Sequence, residues 1–458
     1  MSVDPAPRRG WCPGLARPMP TGDGLLVRLH PVSGRLSAVQ VRAAARAARE
    51  GGNGLLDVTA RGNLQIRGVT AESHGGVVGI LAAAGLGDAR QDGGPQRLTL
   101  DAPLAGADAL AVVAAVEAIG REIAGLPAKT LVAVEDAAGG LGPVEADVWV
   151  RVAFDERCPL TSMSPSQARV FSSPSGRGEE TRTWRRAMSD SAEDTLLPAL
   201  QLAIATPAAP LWLAPMPAPA ALAALRTLLH GLAASGARRM RALPDAARGT
   251  LLDGLERGDA PPAGIVHPAG LHGRTLLAEL PFGRCDAALL DRLAGWSERY
   301  GDGRLALTPG RGVALTARDD ASAVRLRDEA ASAGLIVDPA DPRRAVAACP
   351  GAPACASGGT PAQGDAPRLA AAFAALAREG ATAHVSGCPK GCAHPGPAAL
   401  TLVGRPDGRY GVVLDGHAGS DPDRVLTFGA VLERLESLRE LSSPQAESGL
   451  RDAFREPA

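Results

Sequence analysis

A chain that repeats itself has few ways to fold, and this one repeats. An apolar strand pattern (Leu25-Leu26-Val27-Arg28-Leu29), a Val- and Ala-rich helical stretch from Leu36 to Arg49, a Gly-marked turn and a second strand (Leu55-Leu56-Asp57-Val58-Thr59) all return later. Their second appearance is Leu276 to Leu280, Ala287 to Tyr300, Gly301-Asp302-Gly303 and Leu305 to Thr308. Leu26 matches Leu277 at an offset of 251, and Thr59 matches Thr308 at 249. Ala82-Ala83-Ala84-Gly85-Leu86 reads against Ala331-Ser332-Ala333-Gly334-Leu335, again at 249. Two strands around a helix, given twice, predict an α+β pseudo-dimer with one shared core.

The chain has 458 residues, room for about three domains at roughly 150 residues each. With 5 Trp, 2 Tyr and 6 Phe, its core must be built from Leu, Val, Ile and Ala. A net charge of −1 gives no global field, which argues against nucleic acid or an anionic membrane as partner. Any anion site must be local. The N-terminal stretch has basic residues but no apolar core after them, so it does not read as a secretory signal. The uncharged run from Thr195 to Leu225 is broken by Pro198, Pro207, Pro210, Pro215, Pro217 and Pro219, which no membrane-spanning helix survives. A soluble, cytoplasmic protein is the expectation. Asp155 to Arg186, rich in Ser, Pro, Gly and charge, reads as a surface insertion, its Arg182, Trp184, Arg185 and Arg186 on a solvated loop.

Seven cysteines are an odd number for a disulfide framework. Four of them, Cys349, Cys355, Cys388 and Cys392, form C-x5-C, 32 intervening residues, then C-x3-C. Four thiolates suit a [4Fe–4S] cluster or structural zinc. Zinc usually takes C-x2-C knuckles, which neither pair has, so the spacing favours iron–sulfur while zinc stays open. Each pair starts Cys-Pro (Pro350, Pro389), and Gly351 and Gly391 let the loops turn closely.

Of 48 basic residues only Lys129 and Lys390 are lysines. Lys390 lies inside the second cysteine pair, and Lys129 in Leu126-Pro127-Ala128-Lys129 reads as its partner site in the first repeat. Arg61, Asn63, Gln65 and Arg67 alternate along a strand expected from Thr59 to Arg67, with Leu64 and Ile66 on the other face. Arg311 lies in the matching stretch of the second repeat, Arg28 on the first strand, and Arg97 before the first-half counterpart of the cysteine loop. Together these guanidiniums and ammoniums would cradle a polycarboxylate ligand.

The duplicated ferredoxin-like halves, Thr-x-Arg-x-Asn-x-Gln, Leu-Pro-x-Lys and the cysteine pattern resemble the sirohaem-type nitrite and sulfite reductases from about Arg17 to Arg434. The opening Arg9-Gly-Trp-Cys-Pro-Gly-Leu-Ala-Arg-Pro-Met-Pro-Thr-Gly-Asp-Gly24 is similar to the start of precorrin-3B synthases, the oxygen-dependent branch of that superfamily. The resemblance implies paired half-domains at 17–70 and 265–320 and a first α/β domain at 71–264, with the insertion near 155–186. It further implies an iron–sulfur α/β domain at 321–441 and a tail at 442–458. It implies a monooxygenase of cobalamin biosynthesis that hydroxylates precorrin-3A at C20 with O₂ and closes a γ-lactone. Cys349, Cys355, Cys388 and Cys392 would hold a [4Fe–4S] cluster. Arg28, Arg61, Arg97, Lys129 and Lys390 would match basic positions around the tetrapyrrole, with Asn63, Gln65, Arg67 and Arg311 in the same cradle.

A mononuclear non-haem iron is also implied. Such an iron wants two histidines and a carboxylate; His394, beside the cluster loop, is the one ligand named, and no catalytic residue is assigned. No G-x-G-x-x-G stands between a strand and a helix, so NADH would act through a partner reductase. The reductases have a second lysine two positions after the one matching Lys129, where this chain has Leu131. That counts against the first alternative, a sirohaem-dependent sulfite or nitrite reductase. A second alternative, a non-catalytic iron–sulfur or zinc module, leaves the duplicated core and the arginines unexplained. Cys12, Cys158 and Cys285 receive no role.

Overall fold

The computed structural model describes residues 12–152, 197–438 and 443–454. The Asp155–Arg186 insertion, with Cys158, lies outside the described residues, as do Arg9 to Trp11 of the N-terminal motif and part of the tail.

Two five-stranded antiparallel sheets carry the repeat. The first runs β1 (Met19–Thr21), β2 (Gly24–Leu29), β5 (Leu64–Val69), β4 (Leu55–Val58) and β13 (Arg284–Asp286). The second runs β11 (Gly270–His272), β12 (Thr275–Glu279), β15 (Gly312–Thr316), β14 (Arg304–Thr308) and β3 (Arg35–Ser37). Each half thus completes its sheet with a strand from the other, β3 on β14 and β13 on β4. The register of β2 with β5 shifts by one residue between Leu25 and Val27, the extra residue lying on β5.

Helices Ala38–Gly51 and Ala287–Tyr300 follow these exchanged strands. The first begins with a reciprocal cap, Ser37 Oγ accepting from Gln40 N and Gln40 Oε1 from Ser37 N. The second begins with Asp286 accepting from Leu289 N. Buried Val41, Ala44, Ala45 and Ala48 on one and Leu290, Leu293 and Ala294 on the other belong to a single apolar core. Small alanines let the helices approach, and Arg42 bridges to Glu298 at 2.6 Å outside. The pseudo-dimer and its shared core are present as the repeat predicted.

The strand expected from Thr59 begins only at Leu64. Thr59 to Asn63 is a turn: the Thr59 hydroxyl accepts from Arg61 N and Asn63 N, and Gly62 takes a φ of 62°. A threonine hydroxyl that satisfies neighbouring amides competes with strand pairing. Alternation holds from Leu64 on, with Leu64 and Ile66 in the core and Gln65 facing away.

Two mixed sheets complete the molecule. One runs β10 (Leu211–Trp212), β9 (Leu200–Ile204), β8 (Val148–Val152), β7 (Val132–Glu135) and β6 (Thr99–Asp101). The other runs β16 (Val346–Ala348), β17 (Ala383–Ser386), β18 (Ala398–Gly404), β19 (Tyr410–Gly416) and β20 (Arg424–Leu426). Both begin with three parallel strands in chain order and end with two antiparallel ones. The duplication therefore extends to the α/β sheets, where the sequence shows no repeat. It also corrects the pairing of the two lysines. Lys129 precedes the second parallel strand of its sheet, and Lys390 follows the second parallel strand of the other, so they stand at opposite strand ends.

Candidate functional site

A cavity of about 520 Å³ opens where the first half-domain meets both mixed sheets. Strand β2 contributes Arg28, and His30 follows just past its end; β4 and β5 contribute Asp57 and Gln65. Arg61 and Asn63 come from the Thr59–Asn63 turn, while Arg97 and Thr99 enter from β6 and the residues before it. Lys129 and Leu131 line it from the segment leading into β7. Arg311, Cys349 and Cys392 close the remaining side.

The cavity is cationic by construction. Arg28 Nη2 reaches Gln65 Oε1 at 3.4 Å, while its Nε is buried without a partner. Burial lowers the Arg28 pKa, the Cys12 thiol opposing and the Arg61 charge adding to it. Burial likewise lowers Arg61, with Arg239 as the next contribution in that direction. Guanidiniums stay protonated regardless, so the direction measures how far an anion would be welcomed. Asn63 is 7% exposed and its Oδ1 also lacks a partner. A buried polar atom left unpaired costs on the order of 1–3 kcal/mol, which a polar ligand or water at this surface would offset.

Arg97 is spoken for. Its guanidinium donates to the carbonyls of Pro31 at 2.8 Å, Gly62 at 3.4 Å and Arg61, so it binds the turn rather than open space. His30 sits between the cations. Burial, then Arg28 and Arg97, push its pKa down to about 3, which leaves a neutral imidazole. Its position was legible: on an extended strand, two residues after Arg28 is the same face.

Two residues expected in the cradle are elsewhere. Arg67 is buried, donating to Asp23 at 2.9 Å, Asp57 at 3.1 Å and the Ala354 carbonyl at 2.6 Å, and it does not line the cavity. Asp57 also takes Arg284 at 2.6 Å, so this cluster binds one half-domain to the other. Lys390 donates to Ser357 Oγ at 3.0 Å on the exposed side of the cysteine loops.

The four cysteines come together. The Cys388 thiol pKa is raised first by burial, opposed by a Lys390 backbone hydrogen bond, and then by Cys355, Cys349 and Cys392. Cys349 Sγ accepts from Gly387 N at 3.1 Å. A Cβ on Gly387 would lie 2.9 Å from Gly351 Cα, so the two cysteine loops are packed as closely as glycine allows. Among the described residues no three His, Cys, Asp or Glu side chains form a single-ion site. A cubane offers a separate iron to each thiolate, so it needs mutual proximity rather than convergence on one point. The donor set, the amide-to-sulfur bond and the tight glycine loops fit such a cluster.

Among the described residues no comparable fit exists for a mononuclear iron. All eight histidines lie among the described residues. His394 Nε2 contacts the Pro397 carbonyl at 3.1 Å, and its ring stands 5.8 Å from that of His384. His384 is fully buried, neither nitrogen has a hydrogen-bond partner, and burial followed by His394 and Arg311 pushes its pKa down to about 4. Two rings without a carboxylate are not a facial triad.

The family model for the nitrite/sulfite reductase ferredoxin-like half domain matches twice, at residues 17–84 and 267–333. A precorrin-3B synthase from Sinorhizobium sp. is 33% identical over 455 residues, covering 96% of this chain and 91% of that protein. The solved structure of the Mycobacterium tuberculosis NirA protein superposes with a TM-score of 0.63 at 20% identity, covering 94% of this chain and 85% of that one. The last likeness establishes the fold alone.

Proposed function

The chain belongs to the precorrin-3B synthase family, within the nitrite/sulfite reductase superfamily, and from that premise we propose that it converts precorrin-3A to precorrin-3B in cobalamin biosynthesis. The observation that carries this reading is the arginine-lined cavity with two cysteines of the cluster set in its wall. The reaction places one oxygen atom of O₂ on C20 and reduces the other to water, and a ring A acetate closes a γ-lactone. Two electrons come from NADH through an external reductase.

Arg28, Arg61 and Lys129 bind and orient the substrate's carboxylates by charge-assisted hydrogen bonds. Arg97 fixes the turn that presents Arg61. His30, neutral between two cations, offers one donor and one acceptor to the macrocycle edge. Holding the acetate close to the ring supplies the lactone closure by proximity. A [4Fe–4S] cluster on Cys349, Cys355, Cys388 and Cys392 would supply single-electron transfer from the external donor. The described residues do not fit the mononuclear iron, and no step here depends on it.

Leu131 favours this reading over reduction of a small oxyanion. It lines the cavity at 2% exposure, where the sirohaem reductases carry a lysine, so the concentrated charge and proton supply of that chemistry are reduced. The test is analysis of protein purified without oxygen, followed by turnover of precorrin-3A with ¹⁸O₂. Cluster iron and sulfide, no acid-acetone-extractable sirohaem and one ¹⁸O in the product support the proposal. Extractable sirohaem with sulfite or nitrite reduction would replace it, and zinc alone would overturn both.

A further inference from the structure

Arg311 occupies the tip of the β14–β15 hairpin, at the position that Gly62 holds in the first half-domain, and while it lines the cavity its guanidinium reaches past it to the cysteine loops. Its guanidinium donates to the Ala393 carbonyl at 2.9 Å and lies 3.5 Å from the Ala348 carbonyl. Ala348 immediately precedes Cys349 and Ala393 immediately follows Cys392. One planar group therefore holds one loop from each cysteine pair, and both of those cysteines line the cavity.

The chain accepts backbone strain to put it there. Arg311 has a φ of 72°, a left-handed conformation that is disfavoured for a residue with a Cβ. Space for the side chain comes from Gly283, where a Cβ would stand 2.7 Å from Arg311 Cδ. A carboxylate-binding arginine at a hairpin tip needs neither the strain nor the passage past a glycine. Both are accounted for by the two carbonyls.

We propose that Arg311 is a positioning residue for the iron–sulfur cluster, holding the Cys349 and Cys392 loops against the cavity wall and placing a fixed positive charge beside the cluster. This rests on the reading that a cluster is bound. A cation close to a cluster favours its reduced, more negative state, so it raises the reduction potential, and hydrogen bonds around the ligands act in the same direction.

The test uses the full-length protein, anaerobically reconstituted, as the parent, Arg311→Gln and Arg311→Lys. Iron and sulfide are measured first, then the cluster's midpoint potential and electron paramagnetic resonance spectrum, then tetrapyrrole affinity. Arg311→Gln is expected to shift the potential negative and alter the spectrum. Arg311→Lys keeps the charge but cannot span both carbonyls, and is expected to give a smaller shift in the same direction. Parent potentials in both variants, or a tenfold loss of affinity without a shift, would overturn the proposal and return Arg311 to the cradle. A parent without cluster iron and sulfide would instead remove the reading beneath it.

Discussion

The two half-domains share a fold but not a surface. In the first, Arg28, Gln65 and Asp57 face one another across β2, β5 and β4, and all three line the cavity. In the second, the row across β12, β15 and β14 is Leu277, Ala314 and Ala306. The hairpin tips differ as well: Arg61 and Arg311 both line the cavity, and Arg311 also donates to a cysteine loop. Both tips meet at the centre, where Arg61 bridges to Pro309. Duplication supplied a symmetric scaffold, and the polar strand row was built on one copy only. Symmetric packing needs apolar residues at matching places in both halves; a single ligand needs polar ones in one.

The sharpest break between scaffold and chemistry is at the cysteines. Cys388→Ala is expected to abolish cluster assembly and bring O₂-dependent turnover to background, with the far-ultraviolet circular dichroism of the parent retained. Retained sulfide and turnover would show that the loops serve only packing. Next in size is the tie between the halves. Asp57 accepts from both Arg67 and Arg284, whose side chains are 3% and 15% exposed. Asp57→Ala takes the carboxylate from Arg284 and leaves Arg67 with Asp23 and the Ala354 carbonyl, and removing one partner of a buried pair costs about 3–5 kcal/mol. Denaturant unfolding of the two proteins, compared at equal slope, measures it; a loss under about 1 kcal/mol would mean that the exchanged strands and the shared apolar core hold the halves together without this cluster.

Much of this asymmetry was legible from the chain. The repeat offsets forecast the pseudo-dimer because helix caps and strand patterns are local, and Arg28, Arg61, Asn63 and Gln65 were readable as polar residues interrupting apolar strands. The strand exchange was not, since β3 and β13 are three residues each and their partners lie in the other copy. Arg67 was misplaced for a related reason: its alternation is correct, but its partners Asp23 and Ala354 come from a turn and a cysteine loop far along the chain. The lysine pairing failed because rarity in composition carries no information about strand ends.

A smaller effect isolates the ligand face. Arg28→Ala removes a charge-assisted contact worth about 1.5–3 kcal/mol, so precorrin-3A affinity should fall roughly 10- to 100-fold at nearly parental stability. Leu277→Ala, at the matching row of the second half, should leave affinity unchanged and cost about 2–5 kcal/mol of stability through its lost packing. Equal losses of affinity in both, by fluorescence or absorbance titration, would mean that the two faces are functionally one.

The smallest effect tests the electrostatic cost of that specialisation. His30 has a folded pKa of about 3 against 6.5 when exposed, because burial and the charges of Arg28 and Arg97 oppose its protonation. Above pH 6.5 it is neutral in both states and contributes nothing to pH dependence. Below 6.5 the unfolded chain takes up a proton that the folded chain refuses, so folding stability falls as pH drops toward 3. At pH 5.5 that difference amounts to about 1.4 kcal/mol. His30→Asn should remove this share of the acid sensitivity, so parent and variant stabilities, offset at pH 7.5 by a constant packing difference, should converge or cross as pH is lowered to 5.5. Parallel stability curves would show that neither burial nor the charges of Arg28 and Arg97 hold His30 neutral. The second half has no histidine at the matching site to supply the same slope, so whatever acid sensitivity the variant loses belongs to the ligand-bearing copy.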